Sequence, residues 1–303
     1  MLVKANNARR ETLLRPVDWI IASYQVVMAI VAVAFVTELP KGGLSIARHA
    51  GSLAAILVLR WLTVRHRNKL LGLASDWYPI LTLPFTYSST GAYIHAIFPD
   101  TIDGMLYRLD AWMLGTEPAR FLQRLQTPLL SDLLQLSYCS FFALIFGSAL
   151  ILYLAGKRYA FSNLRMAIVS ILYGTYVLFM LLPAHGPRFE YHQFFMLHGG
   201  WITATVNSFI SNSAYCGGAF PSGHAGASLA ICAILWRYHR PWFPVFLIAT
   251  LLLLLSTVYG GYHYIIDLVA GALFGAAVTY ATLRWNRSWH GKNGTISENG
   301  SPA

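Results

Sequence analysis

The chain has 303 residues, is 56% hydrophobic and only 11% charged, and carries a formal net charge of +10. A soluble domain of that length is about one-quarter charged, so composition excludes an ordinary water-solvated globule and points to a chain solvated by lipid. The positive charge sits in short clusters between apolar runs. That pattern suits an orientation signal and argues against a nucleic-acid surface.

In chain order, apolar segments of spanning length fall at about 18–38, 48–64, 76–97, 131–155, 161–183, 221–238, 241–260 and 264–284. The third is interrupted by Pro79, Pro84 and a Ser/Thr-rich middle. With the N-terminus inside, roughly 16 of the 22 Lys and Arg residues fall on the inner face, a strong positive-inside bias. The expected fold is therefore an all-α polytopic transmembrane bundle of about eight helices with both termini cytoplasmic. The expected division is N-terminal transmembrane helices over 1–97, an interfacial amphipathic segment over 98–130, a helical core carrying the chemistry over 131–284, and a disordered cytoplasmic tail over 285–303. Within 98–130, Asp103, Arg108, Asp110, Arg120 and Arg124 alternate with Leu106, Leu109, Trp112, Met113, Phe121 and Leu125, the spacing of helices lying along a membrane interface. Cys139, Cys216 and Cys232 supply no disulfide framework, and Cys139 and Cys232 are expected as small core residues. Asn286-Arg-Ser and Asn293-Gly-Thr have the glycosylation pattern, but this topology places both inside, where they stay unused.

Three polar segments, Pro183–Arg188, Ala219–His224 and Ser256–Asp267, all fall on the outer side of this topology. Ionisable groups at membrane depth are costly, so three such segments at one level signal a functional site. His263 and Asp267 are four apart and share a helix face. A carboxylate on one ring nitrogen fixes the tautomer and leaves the other nitrogen as base or nucleophile, although the same pair also occurs as a structural staple. Ser222 caps the helix that begins after Pro221, Gly223 admits close approach to the backbone, and the helix start favours an anion such as phosphate. His224 stands beside it, placed to hand a proton to a departing oxygen. Arg188 is the strong cation near the other two segments and suits phosphate geometry, or equally a lipid head group. His185 and Tyr259 are candidate substrate contacts. A serine-hydrolase elbow fails because Phe220 stands where glycine is required. No metal is expected, since the histidines and Cys216 match no compact ligand spacing. Aromatic residues in the outer loop (Phe189, Tyr191, Phe194, Phe195, Trp201) suit either an acyl or isoprenoid chain or interface anchoring.

These residues resemble the type 2 phosphatidic acid phosphatase superfamily, which includes lipid phosphate phosphatases and vanadium haloperoxidases. Its Pro-Ser-Gly-His motif stands intact as Pro221 to His224, and its Ser-Arg-x5-His-x3-Asp motif stands as Ser256, His263 and Asp267 with Thr257 at the arginine position. Of its Lys…Arg-Pro motif only Arg188 survives. His-Tyr-x-x-Asp-Leu, and Leu109, Asp110, Gly115 and Pro118 in the preceding segment, resemble the inositol-phosphorylceramide synthase (inositolphosphotransferase) branch. The resemblance implies His263 as nucleophile oriented by Asp267, phosphoryl oxygens held by Arg188, Ser222 and the Gly223 backbone, and His224 as the acid for the leaving group. It implies a metal- and cofactor-independent lipid phosphatase or phosphotransferase, acting on a lipid phosphate from the non-cytoplasmic face of the cell membrane. An inositol-type alcohol is the candidate acceptor. A transporter, or a non-catalytic membrane protein of the same descent, is the competing class; no internal repeat supports the first, and retention of both histidines and Asp267 argues against the second.

Overall fold

The computed structural model describes residues 12–39, 42–191, 197–213 and 217–292. Lys4, Arg9, Arg10, Lys41, His192, Phe194, Phe195, Cys216 and the Asn293-Gly-Thr sequence lie outside them. The described residues form helices α1 (Pro16–Ala34), α2 (Gly42–His66), α3 (Lys69–Leu81), α4 (Leu83–Ile97), α5 (Asp103–Leu114), α6 (Pro118–Gln123), α7 (Pro128–Leu154), α8 (Arg158–Leu181), α9 (Pro187–Glu190), α10 (Trp201–Ser213), α11 (Gly223–Tyr238), α12 (Phe243–Tyr259) and α13 (Ile265–Lys292). Among them no strand forms, only an isolated parallel bridge between Ala184 and Gly218. The chain is an all-α, multi-pass membrane bundle.

Among the described residues six helices are individually long and apolar enough to cross a bilayer: α1, α2, α7, α8, the helical stretch Arg240–Tyr259 that contains α12, and α13. The two other expected spans are present in a different form. Segment 76–97 becomes α3 and α4, divided at Thr82, with Pro79 inside one and Pro84 in the first turn of the other. Proline removes a helical hydrogen bond and crowds the preceding turn, which accounts for the division. Segment 221–238 becomes α11, only 16 residues long. At 1.5 Å per residue it rises about 24 Å, less than the hydrocarbon thickness, so one end of it lies within the bundle.

The central pillar is α8, which packs against α1, α3, α4, α7, α11 and α13. A helix apolar on every side belongs in the interior, and residues all around α8 are buried. One continuous apolar core joins α1, α2 and α4 to α7, α8, α11 and α12. Polar pairs cross it: Tyr24 with Thr90, Thr86 with Tyr173, and His49 between Gln25 and Tyr93. Such bonds join helices in lipid, where packing alone supplies little selectivity.

Two expectations need correction. Cys232 is buried against Thr250, but Cys139 is exposed on α7, because it falls on the helix's outward stripe and not on the face carrying Leu134, Gln135 and Phe141. Residues 285–292, read from composition as the start of the tail, continue α13. Their anchor is Asn286, which is buried and donates to Asn163 and Ser162 of α8.

Helices α11 and α13 pack backbone against backbone. A Cβ on Gly275 would strike the Gly226 backbone, and one on Gly271 would strike the Ser222 backbone. Glycine at these positions brings the helix axes together. We expect Gly275→Ala to lower stability by about 1–3 kcal/mol through forced separation. Gly51→Ala, where a Cβ meets nothing within 4 Å, should be neutral or stabilising. Thermal unfolding of both variants in detergent checks the pair.

Candidate active site

Backbone hydrogen bonds lace the three polar segments together. Ala184 N–H donates to Gly217 O at 3.2 Å and Ala219 N–H to Ala184 O at 2.9 Å, joining the first segment to the second. Arg188 N–H donates to Gly261 O at 2.7 Å, joining the first to the third. Ser222 N–H donates to Asp267 O at 3.0 Å, joining the second to the third. Gly186 has a φ of +86°, and a Cβ there would strike the Tyr262 carbonyl. Glycine is required at that crossing of two loops.

Inside this frame His263 is buried between α12 and α13. Its N–H donates to Thr257 O at 3.2 Å, and Tyr262 N–H donates to the same carbonyl at 2.8 Å. The ring Nδ1 lies 3.3 Å from Asp267 Oδ2. The ring Nε2 lies 3.2 Å from Ser222 Oγ and 3.1 Å from His224 Nδ1. A carboxylate can only accept from Nδ1–H, so Nε2 carries the lone pair and faces Ser222 and His224. Burial holds the His263 pKa below the ordinary histidine value, so the ring is neutral near pH 7. Asp267 also accepts the Tyr264 N–H at 2.9 Å, which fixes the carboxylate over the ring.

Ser222 caps α11, accepting the Ala225 N–H at 3.3 Å, and places Gly223 and His224 on the first turn. His224 is walled by aromatic rings, with Phe141 at 4.5 Å and Tyr138 at 5.3 Å between centroids. Arg188 approaches from the other side. Its guanidinium donates to Tyr262 Oη at 3.0 Å and to Asn207 Oδ1 of α10 at 2.8 Å. Tyr262 Oη also meets the Gln135 amide at 2.9 and 3.0 Å, and its ring stacks on Tyr138 at 4.3 Å. His224, His263, Asp267, Ser222 and Gly223 thus form one contact cluster, and Arg188 joins it through Tyr262 and Tyr138.

The two candidate substrate contacts lie elsewhere. Tyr259 is buried, with its hydroxyl 2.8 Å from Ser131 Oγ in the packing of α7 against α12. His185 turns toward Glu190 Oε2 at 3.2 Å and stacks near His95. Thr257, at the position of the family arginine, is buried and bonds back to Leu254 O.

The residues missed in the sequence are the two aspartates of α5. Both were assigned to a polar face over the bundle, yet both are buried. Asp103 accepts His185 N–H at 2.8 Å, Gly186 N–H at 2.9 Å and the Tyr264 hydroxyl at 3.1 Å. Asp110 accepts Ile265 N–H at 2.8 Å and Ile266 N–H at 2.9 Å, capping α13 from outside. Their spacing of seven places them on one side of α5, a usable signal. Asp103, His185 and Glu190 also bring potential metal-ligand atoms within 4.8 Å of one another. The Asp103 oxygens are already engaged by three donors, so this cluster is a loop clamp before it is a cation site.

A family model described as the PAP2 superfamily matches residues 104–281. The chain is 26% identical over 234 residues to a PA-phosphatase related-family protein from Dictyostelium discoideum. That match covers 63% of this chain but 41% of the relative, so the chain spans well under half of the relative's length. No solved structure matches.

Asp110→Ala removes both acceptors from the first turn of α13. We expect a loss of about 1–2 kcal/mol in stability, the range of a strong N-cap, with a smaller loss for Asp110→Asn, which keeps one acceptor. Thermal unfolding of the two variants beside wild type measures the difference.

Proposed function

Because this chain belongs to the PAP2 superfamily, we propose that it is a membrane enzyme acting on a lipid phosphate ester through a phosphohistidine on His263. The single observation that carries the proposal is the arrangement at His263: Nδ1 on Asp267, and Nε2 directed at both Ser222 and His224. In the proposed reaction His263 Nε2 attacks phosphorus, the P–O bond to the leaving group breaks, and His224, doubly protonated once the phosphate anion is bound, delivers a proton to the departing oxygen and returns to the neutral ring. Asp267 holds the tautomer and balances the charge that develops on the imidazole. Splitting one displacement into two steps lowers each barrier. Arg188, with Ser222 and the Gly223 N–H at the start of α11, stabilises the phosphoryl oxygens.

The second step decides the class. An alcohol that accepts the phosphoryl group from His263 becomes a new phosphate ester, which is transfer, and water releases inorganic phosphate. We favour transfer, on the resemblance of the His-Tyr-x-x-Asp-Leu and Asp110 segments to inositolphosphotransferases. Asp110 caps the helix that carries Asp267, which connects those two segments physically. Hydrolysis is the alternative fate of the same intermediate. The proposed placement is a cell membrane, with the site open to the non-cytoplasmic side, as the distribution of basic residues implies.

Incubating purified protein with phosphorus-labelled lipid phosphates, with and without inositol, tests both levels. Acid-labile label should appear on the wild-type chain and be absent from His263→Ala, whose turnover should fall by at least about 10³-fold. Full activity in His263→Ala, or an absolute demand for a divalent ion, would overturn the mechanism. Label moving to inositol favours transfer, and label released as phosphate favours hydrolysis. His224→Ala should turn over a lipid phosphate far more slowly, yet recover on an aryl phosphate whose leaving group needs no proton. Equal losses on both substrates would remove His224 from the acid role.

A further inference from the structure

The opposite end of the bundle holds a second polar cavity, of about 310 Å³, lined by residues of α1, α2, α3, α8 and α13 and of the chain leading into α1. Asn286 lines it, and Asp267 lies 19 residues earlier on the same helix, so roughly 28 Å of helix separates this cavity from the histidines. Four guanidinium groups surround it, those of Arg15, Arg60, Arg158 and Arg165. Among the described residues the carboxylates paired with them number two. Asp18 pairs with Arg15 at 3.1 Å and Arg60 at 3.0 Å. Asp76 is shared by Arg15 at 3.1 Å, Arg165 at 3.2 Å and Arg158 at 3.8 Å.

Buried charge in lipid is stable when it is matched. Here one carboxylate, that of Asp76, serves three arginines. The Arg165 side chain is 5% exposed, and its Nε–H has no acceptor among the described residues. An unpaired donor on a charged, buried side chain that lines a cavity marks a place where an acceptor belongs. An anionic group with several oxygen acceptors would meet that donor and suit the planar donors of guanidinium. The size of the cavity is at the small end of ligand sites and fits a head group better than a whole lipid.

We propose that this cavity binds a phosphate monoester at the end of the bundle remote from the histidines. The ligand is either the head group of an anionic lipid in that leaflet or free phosphate. The site is separate from the one proposed for catalysis. It joins α1, α2 and α3 to α8 and α13, so its occupancy would fasten the N-terminal helices to the helices that carry the histidine site.

Native mass spectrometry of the full-length His263→Ala protein in detergent tests this, since that background prevents turnover by the proposed reaction. The probes are dioctanoyl phosphatidic acid, inorganic phosphate and, as a zwitterionic control, dioctanoyl phosphatidylcholine. Arg158 is 58% exposed, so Arg158→Gln should fold normally. We expect Arg158→Gln to weaken one phosphatidic acid adduct by roughly tenfold. Arg165→Lys, which keeps the charge but loses the Nε donor, should weaken it as well. Arg188→Ala should leave that adduct unchanged. Competition by inorganic phosphate at equal concentration identifies a free-phosphate site, and its absence identifies a lipid head group; both support the proposal. Equal binding of phosphatidylcholine, or an adduct lost in Arg188→Ala and untouched in both cavity variants, would overturn it. Neither outcome bears on phosphohistidine trapping, in which Arg158 and Arg165 have no part.

Discussion

The site depends on the distance between two helices. Gly226 of α11 meets Gly271 and Gly275 of α13 backbone to backbone. That contact allows Ser222 N–H to reach Asp267 O and Ser222 Oγ to reach His263 Nε2. If the helices stood even a methyl group farther apart, the serine, both histidines and the aspartate would still be present but would not touch. Small residues at a helix crossing are a familiar means of close approach in lipid, where no hydrophobic force drives helices together. Here the approach has a chemical consequence, because it sets the positions of two imidazoles whose nitrogens lie 3.1 Å apart.

Holding that geometry falls to groups that lie outside the histidine cluster. The loop bearing His263 is short and its backbone must be satisfied in a poorly hydrated place. Thr257 O accepts two of its N–H groups, Asp267 accepts a third, and Asp110 accepts the two that open α13. Asp103 does the same for the Pro183–Arg188 loop and adds the Tyr264 hydroxyl, so one helix secures two of the three polar segments. The segment between the N-terminal helices and α7 is therefore a clamp on the site. Its amphipathic spacing was visible in the sequence, but its buried aspartates invert the expected face. Amphipathicity says which side of a helix is polar; it does not say whether that side meets water or unpaired backbone.

Much else was legible because it rests on local rules. Hydropathy found six of the eight expected spans as long helices, and the serine cap and the four-residue spacing of His263 and Asp267 are local features of the site. Both ends of the described chain do lie at one end of the bundle, since Thr12 and His290 line the same cavity. What was not legible depends on contacts between segments far apart in sequence. No pattern in the chain announces that Tyr259 faces Ser131, that Cys139 faces outward, or that Asn286 holds the last turns of α13 against α8. Composition marked residues 285–292 as tail because Asn, Arg and Ser are poor apolar residues, yet one buried amide with partners on another helix suffices to continue the helix.

The departures from the family motifs acquire a physical meaning in this frame. Where the family carries an arginine, Thr257 turns its hydroxyl back to its own helix and offers its carbonyl to His263 and Tyr262. A guanidinium is thereby absent from that wall, and Arg188 is left as the cation of the cluster among the described residues. Its direction is fixed by Asn207 and by Tyr262, and Tyr262 is fixed in turn by Gln135 and Tyr138. A single cation held on two sides presents less charge than a pair or triad would, but it presents it in a defined direction. A site with fewer cations binds a phosphoryl dianion less tightly in the ground state, which favours passing the group on over retaining it.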